Sequence, residues 1–360
     1  MNVTYLRGSF LAAFACILVG ASFTANSVLG DYPYAGGQAL RYGLAALLLV
    51  PLVTRTGGPR PAAVLRGLSR RQWGRLALLA AVGMVGFNLA VLAAERSAEP
   101  AVPGVFVGCA PILVAVLVPL MAGRRPTRAV LFAAVLVAIG AFTVQGWGRT
   151  DIAGILFSVG ALAGEVGFAV LAVPVLRPLG ATLLSATVCA VAAVESAVLG
   201  LLLDGGGFVR VPTPDEAVAL LWQAAVVTVI GFVCWYRGMQ RIGAERATLF
   251  SGLIPVSAAL TAPLVGAGAY GPAQVVGSCL VGLGVAVGSG VLRRRGRVRA
   301  VGSAAGVEDH PGHESRIVVH RDVTAAGEPD QPGAREGVLG PDALAAQKQP
   351  VAVAPGDGHR

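Results

Sequence analysis

Gly108-Cys-Ala-Pro111-Ile-Leu-Val-Ala115-Val-Leu-Val-Pro119-Leu120 recurs 144 positions further on as Gly252-Leu-Ile-Pro255-Val-Ser-Ala-Ala259-Leu-Thr-Ala-Pro263-Leu264. Glycine, alanine, leucine and both prolines keep their places. The match extends outward to Phe106 with Phe250 and to Gly140 with Gly284. Proline has no amide hydrogen and its ring collides with the preceding helical turn, so it is scarce inside helices. Two prolines repeated at one offset within apolar runs point to a duplicated unit. Pro111, Pro119, Pro255 and Pro263 read as paired helix kinks in its two copies.

The chain has 360 residues, 55% of them hydrophobic and 13% charged, with a mean hydropathy of +0.72. A soluble domain carries about 25% charged residues. These are too few to cover a water-facing surface, so the medium is a lipid bilayer. The net charge of +9 does not indicate nucleic acid, because the arginines gather in short loops between apolar runs. Cys16, Cys109, Cys189, Cys234 and Cys279 lie within or beside apolar runs and form no CxxC, so they read as small buried apolar residues. All four histidines follow residue 300 at spacings that match no metal site. No metal and no cofactor is expected.

Ten apolar runs are long enough to cross a hydrocarbon core of roughly 30 Å, which takes about 20 helical residues. They cover about 9–29, 33–53, 76–94, 102–121, 129–147, 152–176, 181–203, 217–237, 247–265 and 272–292. With the N-terminus inside, alternation places nineteen arginines in cytoplasmic segments and three (Arg96, Arg149 and Arg210) outside. This bias predicts a multi-pass protein of the cytoplasmic membrane with both termini in the cytoplasm. Each copy of the duplicated unit then holds five helices. Five is odd, so the second copy enters the membrane from the opposite face. The expected fold is an all-α integral membrane protein of ten transmembrane helices in two inverted five-helix repeats, 1–148 and 149–292. Residues 293–360 form a basic juxtamembrane stretch and a polar tail. From 300 onward the tail carries nine acidic and five basic residues, and it reads as disordered.

The segment Cys234-Trp-Tyr-Arg-Gly-Met-Gln-Arg-Ile-Gly-Ala-Glu-Arg-Ala-Thr-Leu-Phe-Ser-Gly-Leu-Ile-Pro-Val-Ser-Ala-Ala-Leu260 resembles the second repeat of EamA-like transporters, of the drug/metabolite transporter superfamily. An aromatic helix end, a short basic loop and a Pro-Val inside the ninth helix carry the likeness. Glu95-Arg-Ser-Ala-Glu-Pro-Ala before Gly108-Cys-Ala-Pro111, and Arg41 in the second helix, resemble the first repeat. The likeness covers about 8–292. Many family members carry Gly-Glu after the fourth and ninth helices. This chain has Gly123-Arg124 and Gly268-Ala269 there, so no role resting on that glutamate carries over. Glu165 stands where relatives often have tryptophan.

A charge deep in a bilayer costs about 3 kcal/mol or more unless paired or hydrated, so each ionisable group in a span is a candidate for function. Glu165 is about thirteen residues into the sixth run, roughly 20 Å deep. It reads as a cavity carboxylate that binds a cationic group or a proton, or else as a residue that only packs helices. Gly160 and Gly164 beside it form a GxxxG that favours close helix approach. Arg41 admits two readings: pairing with Glu165 or an anionic substrate group, and snorkelling outward. Glu195 reads as interfacial, with a second protonatable site as the alternative. Asn88, mid-helix beside Gly86, is a substrate-facing candidate. Asn26, Gln145 and Gln223 read as makers of interhelical hydrogen bonds. Trp235, Tyr236 and Trp222 read as membrane-interface aromatics.

The expected function is secondary transport of a small metabolite or drug-like molecule by alternating access. Export is favoured because EamA-like relatives are often exporters, and Glu165 is the candidate for proton coupling. An enzyme is not expected: the spans hold no histidine, and HExxH, GxSxG and P-loop motifs are absent. The alternative is a receptor or scaffold that signals through its tail. The partners expected are the small-molecule substrate and the lipid bilayer. A homodimer stays open, because Gly284 and Gly288 suit either a dimer face or an internal contact.

Overall fold

The computed structural model describes residues 3–22, 29, 32–55, 60–98, 101–146, 149–261, 263 and 270–289. Asn26, Gly268, Ala269 and the tail beyond 292 lie outside them. Contacts divide the chain into Met1–Gly306 and Val307–Arg360, and every described residue belongs to the first unit. All elements among the described residues are helical; the one β-bridge joins Ala98 to Thr150.

The helices are α1 (Val3–Ala21), α2 (Tyr34–Arg55), the short α3 (Pro61–Arg66), α4 (Arg70–Ala94), α5 (Val102–Met121) and α6 (Arg128–Gln145). A stretch of 53 residues follows, Ile152–Asp204. As one rod it would run about 80 Å, far more than a bilayer core. Gly180 divides it. Its φ of 70° and ψ of 166° are non-helical and leave α7 (152–179) and α8 (181–204). Glycine suits this position because L side chains avoid positive φ, not because space is short: an added Cβ would meet nothing within 4 Å. Then come α9 (Pro214–Ile242), α10 (244–261) and α11 (Pro272–Gly288). Seven helical stretches among the described residues are long and apolar enough to cross a membrane, with Ile152–Gly207 counted as one.

Local chemistry sets the ends. Ser69 and Gln72 form a capping box at the start of α4, Asp151 accepts from the Gly154 amide at 2.8 Å, and Thr213 forms a capping box with Glu216 before α9. Gly146 and Gly243, at φ 74° and 83°, close α6 and α9. The kink candidates differ among themselves. Pro111 opens a new helical segment just after a break at Cys109, and Pro255 follows a 3-10 turn, Thr248–Gly252. Pro119 sits inside the last turn of α5, and Pro263 lies beyond the end of α10.

The helices approach through small residues. The most extensive packing joins α6 to α11, where Gly140 lies against the backbone of Val281 and Gly277, and Gly284 against that of Ala133 and Val137. This is an intramolecular use of the glycines that also suited a dimer face. Outward-facing Leu47, Leu156 and Leu202 are 65–77% exposed, as lipid-facing side chains are.

Candidate functional site

A cavity of about 1550 Å³ lies between the helices and draws its walls from both halves of the sequence. Arg41, Asn88 and Glu165 all line it; Glu195 does not. Glu165 projects from α7, which is held tightly on α4. A Cβ on Gly83 would come within 2.8 Å of Phe168 Cα, and one on Gly164 within 2.8 Å of Phe87 Cβ. The two glycines interlock one turn apart, which places the Glu165 turn against α4. Gly160 contributes less, since its added Cβ would sit 3.5 Å from Ala90. The Glu165 carboxylate makes no hydrogen bond or ion pair with any described residue, and Cys16 of α1 is an electrostatic neighbour.

Arg41 and Glu165 share the cavity without an ion pair between them. The Arg41 Nε instead donates to Thr228 Oγ1 at 2.9 Å, and the guanidinium carbon lies 5.3 Å from the centre of the Tyr42 ring. Asn88 Nδ2 donates to the Met84 carbonyl at 2.7 Å and to the Tyr42 hydroxyl at 3.2 Å. Consecutive residues of α2 thus reach α9 through Arg41 and α4 through Tyr42.

Both α4 and α9 contain a π-helical segment, Ala81–Gly86 and Gln223–Ile230. Each borders the cavity, through Gly83, Met84 and Gly86 in one and Gln223 in the other. Inserted π turns are frequent at functional sites because they break the regular backbone ladder. The Thr228 hydroxyl donates to the carbonyl of Gln223, five residues back, at 2.8 Å. Sequence reading missed Thr228, Tyr42 and the π segments. One signal was present: two polar residues five apart inside an apolar run.

Trp235 and Tyr236 overturn the reading as membrane-interface aromatics. They are 7% and 0% exposed, and Trp235 lines the cavity. Both face the protein because α9 packs this side on α1 and α7. Phe168, Phe232 and Tyr236 form a cluster with ring centres 5.3 to 6.2 Å apart. Trp222, at 45% exposure, faces outward. Glu195 on α8 has one buried carboxylate oxygen without a partner among the described residues. At the opposite end from the aromatic cluster, Arg210 lies over Tyr32, with 4.8 Å from its guanidinium carbon to the ring centre, and pairs with Glu216. Among the described residues no cluster suited to a metal ion is found.

The sequence profile of the EamA-like transporter family matches residues 6–145 and again 152–289. The chain belongs to the EamA-like transporter family. As a member it is a multi-pass membrane protein, and the two matches fall on its two halves. It is similar to YyaM of Bacillus subtilis (strain 168), described as an uncharacterized transporter: 26% identical over 294 residues, 77% of this chain and 92% of the relative. YetK of the same organism, also described as an uncharacterized transporter, is 22% identical over 70% of this chain and 78% of its own. One solved crystal structure of a protein superposes with a TM-score of 0.68 at 21% identity, over 79% of this chain and 98% of the other. That likeness concerns the fold alone.

Proposed function

We propose that this EamA-family protein is a secondary transporter that carries a small metabolite or drug-like molecule by alternating access. The observation that carries the reading is the cavity of about 1550 Å³ walled by both halves, with the carboxylate of Glu165, unpaired among the described residues, on its lining. It exceeds the roughly 300–1,000 Å³ of an ordinary small-molecule pocket, so it admits such a molecule with room to spare. In this reading the chain spans the bilayer ten times as two inverted repeats. Gly140 and Gly284, one from each copy of the repeated unit, pack the last helices of the two halves on each other, which supports that symmetry. So do the π segments, which fall in α4 and α9, the third long helix of each half.

Tyr32, Arg96, Asp204 and Gly207 line the cavity and belong to the loops expected outside; among the described residues no arginine of the cytoplasmic loops does. The reading therefore assigns this structure to the outward-facing form, with Phe168, Phe232 and Tyr236 closing the inner end. Both termini are cytoplasmic, export is the working direction, and Glu165 takes up and releases the coupling proton. Arg41 and Asn88 contact the cargo, and Glu195 lies outside its path. The test is flux in proteoliposomes over a panel of labelled amines, carboxylates and dyes, with and without an imposed proton gradient. Gradient-driven flux that falls at least tenfold in Glu165→Gln is the expected result. Flux indifferent to both the gradient and the substitution would refute the coupling.

A further inference from the structure

Resting on the transporter reading above, we propose that Arg41 holds a carboxylate of the cargo and that Thr228 is the positioning residue that aims it. A guanidinium has five N–H donors in a planar fork. Only Nε is used, in the 2.9 Å bond to Thr228 Oγ1. The four N–H groups on the two Nη atoms bond to no described residue, and Arg41 lines the cavity. The end of the fork is therefore open. Two parallel N–H groups match the two oxygens of a carboxylate.

Thr228 sets that orientation through the π segment. Ser158, Ser185 and Thr187 turn their hydroxyls back to the carbonyl four residues earlier, as hydroxyls on regular α-helices do. Thr228 reaches the carbonyl five residues earlier. Its single hydrogen is committed there, so toward Arg41 it can only accept. The residue is wholly buried and has no freedom to follow the guanidinium elsewhere. This fixes the Nε edge of Arg41 on α9.

Charge and lining select the ligand class. Arg41 and Arg96 are the only cationic residues among the described cavity lining, and Glu165 and Asp204 the only acidic ones; Arg96 and Asp204 belong to loops at its outer end, and Glu165 holds the coupling proton in the reading above. A single deep cation suits one negative charge and falls short of a phosphate dianion. Phe87, Phe232 and Trp235 offer an apolar surface for the rest of the molecule. The inferred cargo is a monocarboxylate with an apolar body.

The test is equilibrium binding to the purified full-length chain in detergent, with 2-naphthoate, its neutral amide and naphthyl phosphate as probes. The wild type is expected to bind the acid about tenfold more tightly than the amide. Arg41→Gln binds both alike. Thr228→Val loses most of the preference, Thr228→Ser keeps it, and both retain the wild-type melting temperature to within a few degrees. The inference is overturned if the wild type does not saturate with naphthoate, binds acid and amide equally or prefers the phosphate. It is overturned as well if Thr228→Val keeps the full preference. Binding is independent of flux, so absence of transport would sink the carrier reading and leave this result standing. A proton-driven carrier that binds the amide as well as the acid would do the reverse.

Discussion

Gly282 and Gly284 stand two residues apart on α11 and face opposite surroundings. A Cβ added to Gly284 would lie 2.8 Å from the Ala133 carbonyl oxygen, 2.8 Å from Val137 Cγ2 and 3.0 Å from Val137 N. One added to Gly282 would meet nothing within 4 Å. Ordinary contact begins at 3.4 Å, so Gly284→Ala requires a movement of 0.4 to 0.6 Å. Two of the obstructing atoms are backbone atoms of α6 and cannot turn aside. The α6–α11 pair must separate, and overpacking of this kind costs about 1–3 kcal/mol. Both substitutions gain the same helix propensity, about 1 kcal/mol for glycine to alanine. That gain cancels when the variants are compared with each other. Gly284→Ala should therefore be less stable than Gly282→Ala by about 1–3 kcal/mol, which corresponds to a melting temperature lower by ~5 °C. Thermal unfolding of both in one detergent, followed by tryptophan fluorescence, reads the difference. Equal melting temperatures would refute the close approach of α6 and α11.

Asn88 and Tyr42 share a hydrogen bond of 3.2 Å in the cavity wall. A double-mutant cycle of Asn88→Leu with Tyr42→Phe, read by the same unfolding assay, should return a coupling of about 0.5–1.5 kcal/mol, and additive effects would refute the bond. Deletion of residues 300–360 should leave proteoliposome flux at its wild-type level. Loss of flux on that deletion would favour a tail-dependent receptor.

The helices were legible because bilayer length and apolar runs leave few alternatives. The expected run 102–121 coincides with α5, and the division between 152–176 and 181–203 falls on Gly180. The candidate site was legible in part, for the same reason: an ionisable residue in a span is rare, and Glu165 and Arg41 stand out in the sequence. Their relation did not follow. Sequence spacing carries no information about which faces of α2 and α7 meet, and Arg41 bonds to Thr228 rather than to Glu165. Trp235 and Tyr236 misled because an aromatic near the end of a span suits the interface and a cavity equally well. What separates the two is the direction the helix face takes, and that depends on packing against α1 and α7. The π segments were invisible because their residues, apolar and small, form an ordinary helix just as readily.

Those segments bear on how a carrier of this design would move. Asn88 and Tyr42 belong to the same half, and their bond ties α4 to α2. Arg41 and Thr228 belong to different halves, and theirs ties α9 to α2. When two halves rock past each other, a bond within a half can travel with it, whereas a bond between halves has to stretch, break or carry its partner along. The Arg41–Thr228 bond uses Nε alone, so a carboxylate arriving at the Nη fork would leave that bond in place and add a second partner to the same guanidinium. The bound cargo would then be held by a side chain that α9 of the opposite half orients. If the halves rock, a movement that breaks the Arg41–Thr228 bond would also take away the orientation of the fork, so loss of that bond and loosening of the cargo would go together.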